Sequence, residues 1–273
     1  MNFMTSAPSA SLSGIVKQYW AMEACHDSSE GHVQRIIPTG LSDLIFYKSS
    51  TPKCSDSKRD YIGNIVVSGQ QSTFYDLLIC GELSLFAIIL TPAGFTRLTG
   101  IPASELRDNS VPLNYLLPEI SSKLEDLLFE ANTFEEMVKV AESIFLSVLQ
   151  KESLGYASQF DFKRMSSPIK SMTMTFEDAS LESISSAACM SKRHFERKFQ
   201  DIVGLSPKQF IRVARFQKAL DMKSKFPEIT LAQLASECGF YDQSHMTSEF
   251  KKFSGYTPGE YFKICEPSSD LFN

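Results

Sequence analysis

The chain has 273 residues, enough for two domains with separate cores, and 43% of them are hydrophobic. Its net charge of −5 excludes a uniformly basic coat for nucleic acid, but the charge is uneven: residues 166–273 hold 14 Lys and Arg against 13 Asp and Glu, the remainder 13 against 19. The six cysteines form no C-x-x-C pair, no apolar run reaches membrane-spanning length, and the first residues lack a basic-then-apolar leader, so free thiols in a reducing cytoplasm and no membrane partner are expected.

Residues 1–13 are small and polar and predict a mobile start. From Ile15 the pattern becomes short strands, with candidates at Ile15–Met22, Val33–Ile37, Asp43–Lys48, Tyr61–Val67, Phe74–Cys80 and Ser84–Leu90. They are rich in Ile, Val, Phe and Tyr and are broken by Pro38-Thr39-Gly40, Ser68-Gly69 and Gly81. This spacing predicts a small sandwich or barrel, with Ser50–Asp60 as an exposed loop. Trp20, Phe46, Tyr47, Tyr75 and Phe86 are candidates to line an effector pocket, although aromatics at strand spacing are more often core. Thr91–Asn109 carries Pro, Gly and short turns. Pro112–Asn132 and Thr133–Lys151 then show helical spacing, with Thr133 and Glu136 as a capping box, and predict an antiparallel helical hairpin.

Residues 152–166 read as a linker, after which Ser167-Pro168 predicts a fresh helix and Ile169–Phe176 a support helix. One pattern is then written twice, in Ser180–Phe210 and Thr230–Tyr261. At a shift of fifty, Leu181 meets Leu231, Ile184 meets Leu234 and Met190 meets Phe240. At fifty-one, Ser191 meets Asp242, Phe195 meets Met246, Phe199 meets Phe250, Gly204 meets Gly255 and Pro207 meets Pro258. Two copies make a duplicated module rather than a solenoid. Each reads as helix, tight turn, helix, with Ser180 and Thr230 capping the first helices and Ser191 and Asp242 the second. A helix over Ser206–Lys225, with an apolar stripe at Phe210, Val213, Ala214 and Ala219, joins the copies.

The inward pairs Phe195/Phe199 and Met246/Phe250 leave Lys192, Arg193, Glu196 and Arg197 on one outer face and Gln243, Ser244, Thr247 and Ser248 on the other. These types pair with base edges, Arg with guanine, Gln with adenine, Glu with cytosine, Ser and Thr with several. Glu196 is equally placed to pair with Lys192. Arg215 is a candidate for a phosphate contact or for an internal ion pair, and Lys251 continues the second outer face. Ser191–Lys225 holds ten basic and three acidic residues, the concentration of positive charge that phosphate contacts require.

The run LASECGFYDQSHMTSEFKKFSGYTPGEYF resembles the C-terminal signature of AraC/XylS-family transcription regulators, in the order Ala-x-x-x-Gly-Phe, Asp-Gln-Ser, Phe-Lys-Lys, Gly-x-Thr-Pro, Tyr. The resemblance covers roughly residues 168–262. It departs at Cys189, where the first turn often has Gly, which predicts a stiffened or distorted turn. Trp20, IIPTGLSDLIF and LTPAGFTRLTGIP resemble the sensor half of some members of that family.

The resulting fold class is α+β. A small β-barrel or sandwich with trailing helices (residues 1–151, effector sensing or dimerisation) is followed by a linker (152–166). An all-α domain (167–265) then carries two helix-turn-helix subdomains joined by a linker helix. The resemblance implies sequence-specific binding of double-stranded DNA in two successive major grooves, with RNA polymerase, a small effector and a second copy of the chain as further partners. Three functions stay open: an effector-responsive regulator, a regulator whose first half only dimerises or binds a protein, and an enzyme with a DNA-tethering tail. Four His without a tight carboxylate cluster, no G-x-S-x-G elbow and no phosphate loop argue against the last, and no cofactor or metal is expected.

Overall fold

A computed structural model describes residues 2–25, 31–49, 51–54, 63–151, 156–174 and 181–264. The strands are β1 Asn2–Ser6, β2 Val16–Cys25, β3 His32–Ile36, β4 Asp43–Tyr47, β5 Lys53–Cys54, β6 Ile65–Ser68, β7 Tyr75–Ile79, β8 Glu82–Leu90 and β9 Ser110–Pro112. They form two antiparallel sheets, ordered β1-β2-β8-β4-β6-β9 and β3-β7-β5. Of the barrel and sandwich alternatives, the sandwich is realised. Each sheet keeps its own edge strands, so no barrel closes.

Three departures from expectation have local causes. Residues 2–6 are not a mobile start: Phe3 pairs with Met22 and Thr5 with Trp20, adding an edge strand whose sequence, NFMTS, has no alternating pattern to betray it. The short β9 lies where a helix was expected to begin, and Val67 pairs with Val111. The Ser50–Asp60 loop falls largely outside the described residues, and β5 lies within it.

Strand alternation divides the core in two. Phe46 of β4 and Phe86 and Ile88 of β8 face one side, while Tyr47 and Leu85 and Ala87 face the other. On the first side lie α3 (Pro118–Glu130) and α4 (Phe134–Lys151), contributing Leu124, Leu128, Ile144 and Phe145. On the second side lies the small sheet. A sheet buried on both faces accounts for its nearly continuous apolar strands. The expected capping box holds: Thr133 Oγ1 accepts from the Glu136 amide at 3.2 Å, and Glu136 Oε2 accepts from the Thr133 amide at 3.2 Å. The stretch before α3 is not one helix with it, because α2 (Leu113–Leu116) stops at Leu117, ahead of Pro118. Between sheet and hairpin come α1 (Gly94–Thr99) and a 3-10 turn at Ala103–Leu106.

The C-terminal helices are α5 Tyr156–Met174, α6 Leu181–Ala187, α7 Lys192–Val203, α8 Pro207–Lys225, α9 Leu231–Glu237, α10 Gln243–Ser254 and α11 Pro258–Ile264. The expected restart at Pro168 gives way to one helix, α5, with Pro168 inside it, and the first turns of α5 lie in the stretch read as the linker. The Ser180 cap lies outside the described residues. Phe195, Phe199, Phe210, Phe216 and Phe250 are wholly buried in one core under both copies of the module. Of the stripe expected on α8, Phe210, Val213 and Ala219 are buried and Ala214 is half-buried, while Phe216 completes it.

The two halves touch at many points. Ile37 is buried in the helical core, and Phe74 and Ala93 pack against it. Gln217 Nε2 on α8 donates to the Pro38 carbonyl at 2.7 Å, and Thr96 Oγ1 donates to the Asp201 carbonyl on α7 at 3.3 Å. Arg35 on β3 holds Asp76 on β7 through two bonds of 2.7 and 2.8 Å. It donates a third to the Ser254 carbonyl at 3.1 Å, with its guanidinium over the rings of Phe74 and Tyr256. Thr73 Oγ1 donates to the Lys252 carbonyl at 3.0 Å. Both carbonyls belong to the last turn of α10, the negative end of the helix dipole, where a cation is favoured.

Candidate nucleic-acid interface

The two candidate reading helices, α7 and α10, are set by the same local chemistry. Ser191 Oγ accepts from the His194 amide, and Asp242 Oδ1 accepts from the His245 amide at 2.7 Å, so each helix starts on a capped donor. Each ends on a left-handed glycine, Gly204 at φ 95° and Gly255 at φ 79°. Ser206 and Thr257 then cap the following helices, with Pro207 and Pro258 at the first helical positions. The Gly-x-Ser/Thr-Pro motif is thus a stop signal followed at once by a start signal.

Inward residues lock the helices: Phe195 and Phe199, and Met246 and Phe250, are wholly buried. The outer faces carry the expected side chains at matching positions. Lys192, Arg193 and Arg197 are exposed and Glu196 half-buried on α7. Gln243, Ser244 and Ser248 are exposed and Thr247 half-buried on α10. Exposed Lys251 extends the Gln243–Thr247 row by one more turn.

Hydrogen bonding narrows what each can offer. Thr247 Oγ1 donates to the Gln243 carbonyl at 2.8 Å and Ser248 Oγ to the Ser244 carbonyl at 3.1 Å, which leaves both hydroxyls as acceptors toward an outside partner. Lys192 Nζ donates to Glu182 on α6 at 2.6 Å rather than pairing with Glu196, and this bond raises the lysine pKa. The pair is open to water on both sides and readily exchanged. Arg215 is not on an outer face. It lines a cleft of about 540 Å³ between the two modules, with Leu181, Ile184, Lys208, Arg212 and His245.

Sequence reasoning missed four residues. Arg212 on α8 makes a two-pronged ion pair with Glu249 on α10, both bonds 2.6 Å, and so ties the linker helix to the second reading helix. Glu249 reads as a helix-surface carboxylate yet is only 6% exposed. Tyr241 is 91% exposed in the turn before α10, beside Gln243 and Ser244. An aromatic next to a capping Asp was the available signal. Arg35 was hidden because its partners lie some 40 and 220 residues away, Asp76 and Ser254 being separated from it by 41 and 219 positions.

Comparison with known proteins agrees with this geometry. Residues 184–264 match a helix-turn-helix domain and residues 4–112 a domain of unknown function, DUF6597. The chain is 24% identical over 241 residues to the HTH-type transcriptional regulator MtrA of Neisseria gonorrhoeae, covering 83% of this chain and 79% of MtrA. It is 27% identical over 116 residues to the HTH-type transcriptional activator RhaS of Escherichia fergusonii, covering 42% of this chain and 41% of RhaS. Among solved structures, ToxT from Vibrio cholerae with an unsaturated fatty acid bound matches with a TM-score of 0.49 at 14% identity, covering 89% of this chain and 95% of that one. With its duplicated module over residues 184–264, a helix-turn-helix domain of the AraC type, the chain is a DNA-binding transcription regulator.

Proposed function

We propose that α7 and α10 enter two successive major grooves and read unlike half-sites. The observation that carries this reading is the chemical difference between two faces of one geometry. The first presents Lys192, Arg193, Glu196 and Arg197. The second presents Gln243, Ser244, Thr247 and Ser248. Arginine donors suit the two acceptors of guanine, and the glutamine amide suits adenine. The hydroxyls of Thr247 and Ser248, whose protons are committed to the backbone, suit the amino groups of adenine or cytosine. Lys251 and Tyr241 flank the second face and meet the sugar–phosphate strand there. Arg215 acts at the cleft between the modules, reaching phosphate only where the duplex passes that cleft.

Residues 1–151 control the reading heads, through a small effector held between the two sheets or through a second copy of the chain, and RNA polymerase is the downstream partner. The support is the number of bonds that tie the small sheet and its loops to α7, α8 and α10. Such a regulator works in the cytoplasm of a bacterium, on chromosomal DNA. The reading is tested by titrating DNA with Arg193→Ala and Arg197→Ala. Each removes a guanine contact and costs about 1–3 kcal/mol of affinity, concentrated on G·C positions of one half-site. Undiminished affinity with unchanged base preference contradicts the assignment.

A further inference from the structure

Between the two sheets lies a cavity whose walls are almost entirely apolar, among them Ile36, Ile45, Leu77, Leu85 and Ala87, together with the ring of Trp20. Its free volume is about 40 Å³, room for roughly three waters. One carboxylate, Asp43 at the start of β4, opens onto it. The phenols Tyr47 and Tyr75 line the same space. Among the described residues the Asp43 carboxyl has no hydrogen bond and no ion pair. Lys17, at the head of β2, is the cation that acts on it, from an exposed position and without forming a salt bridge. A carboxylate facing an apolar cavity with no bonded cation is costly to keep ionised, and an ammonium group entering the cavity relieves that cost.

We propose that this cavity is a binding site for a small apolar primary amine, its ammonium paired with Asp43 and its body against Trp20 and the aliphatic wall. The proposal rests on the reading that residues 1–151 hold an effector, and adds its chemical class. Tyr47 and Tyr75 line the same cavity, and both Tyr75 and Asp43 act electrostatically on Tyr47. Burial drives the Asp43 carboxyl up to about 7, with Lys17 partly opposing it. Without ligand the carboxyl is therefore protonated below about pH 7, and amine affinity falls as pH drops through that point. Tyr47 is pushed upward from the ordinary phenol value by burial, by Tyr75 and by Asp43. It stays protonated across this range, and so does the amine, leaving Asp43 to set the pH profile.

Trp20 is the only tryptophan of the chain, so its fluorescence reports occupancy of this cavity. The full-length protein is titrated with methylamine and ethylamine, which match a cavity of this size, each beside its alcohol, methanol and ethanol, with thermal stability recorded in parallel. A charge-assisted bond predicts that each amine binds about tenfold or more tightly than its alcohol at pH 8. It also predicts that this advantage shrinks about tenfold by pH 6 and that Asp43→Asn abolishes it. Alcohols that bind as well as amines, or an amine preference that survives Asp43→Asn, overturn the amine class and leave the effector cavity standing. Should neither amine nor alcohol change Trp20 fluorescence or melting, both the amine class and the effector cavity fall. The pH profile of the unsubstituted protein decides the matter even if the variant folds poorly.

Discussion

Cys189 sits in the turn of the first module at φ 52°, a left-handed conformation, and its counterpart in the second module is Gly239 at φ 73°. The turn expected to be distorted by a non-glycine residue therefore keeps its shape and carries the strain instead. A non-glycine residue in this region costs about 1–2 kcal/mol. Part of the compensation is visible: Arg164 on α5 donates from Nε to the Ala188 carbonyl at 2.8 Å and from its terminal nitrogen to the carbonyls of Ala188 and Cys189. Cys189→Gly removes the strain while keeping these acceptors, and is expected to raise the unfolding free energy by about 1 kcal/mol after the extra chain entropy of glycine is counted. The midpoint of urea unfolding measures it. A lower midpoint would show that the Cys189 side chain contributes more than its backbone costs.

At the scale of elements, α10 is held from two directions. Arg212 and Glu249 bind it to α8, and burial of Glu249 makes that pair a fixed strut rather than a surface contact. Arg35 and Thr73 hold its last turn against the small sheet. Arg35→Ala removes the ion pair with Asp76, the bond to Ser254 and the contacts with two rings, a loss expected at about 1–3 kcal/mol. Hydrogen–deuterium exchange locates the effect: amides in the last turn of α10 and in α11 exchange faster, while those of α7 do not. Uniform protection across α10 would show that the clamp contributes nothing to the second head.

These elements also show what a sequence can and cannot reveal. The reading helices were legible because each carries its own signals within a few residues: cap, inward aromatic pair, terminal glycine, capped proline. The outer faces followed by subtraction. Strand β1 was not legible, because an edge strand takes its conformation from hydrogen bonds to β2, and NFMTS has no pattern of its own. Helix α5 was misjudged because Pro168 reads locally as a start; Met165, Ile169 and Met172, buried in the helical core, hold the turns on both sides of it. The cavity aromatics divided along strand alternation: Trp20, Tyr47 and Tyr75 face the cavity, while Phe46 and Phe86 face the helices. A shift of one residue in strand register would have reversed that assignment.

On the scale of the whole molecule, charge and contact divide the labour. Residues 166–273 hold 14 basic and 13 acidic residues, the remainder 13 and 19, so phosphate repels the first half and favours the second. The first half nevertheless inserts Ile37 into the helical core and touches α7, α8 and α10, the contacts through which the proposed effector control would act. Two geometrically equivalent, chemically unlike heads are thus proposed to read one bipartite site. Binding sites are selected from random DNA with the full-length protein and footprinted with the unsubstituted chain, Arg197→Ala and Gln243→Ala. Two unlike half-sites on one face of the duplex are expected, about one helical turn of 10 base pairs apart, with Arg197→Ala relaxing base preference in one half and Gln243→Ala in the other. A palindromic site, or a loss of preference in both halves with either substitution, would contradict it.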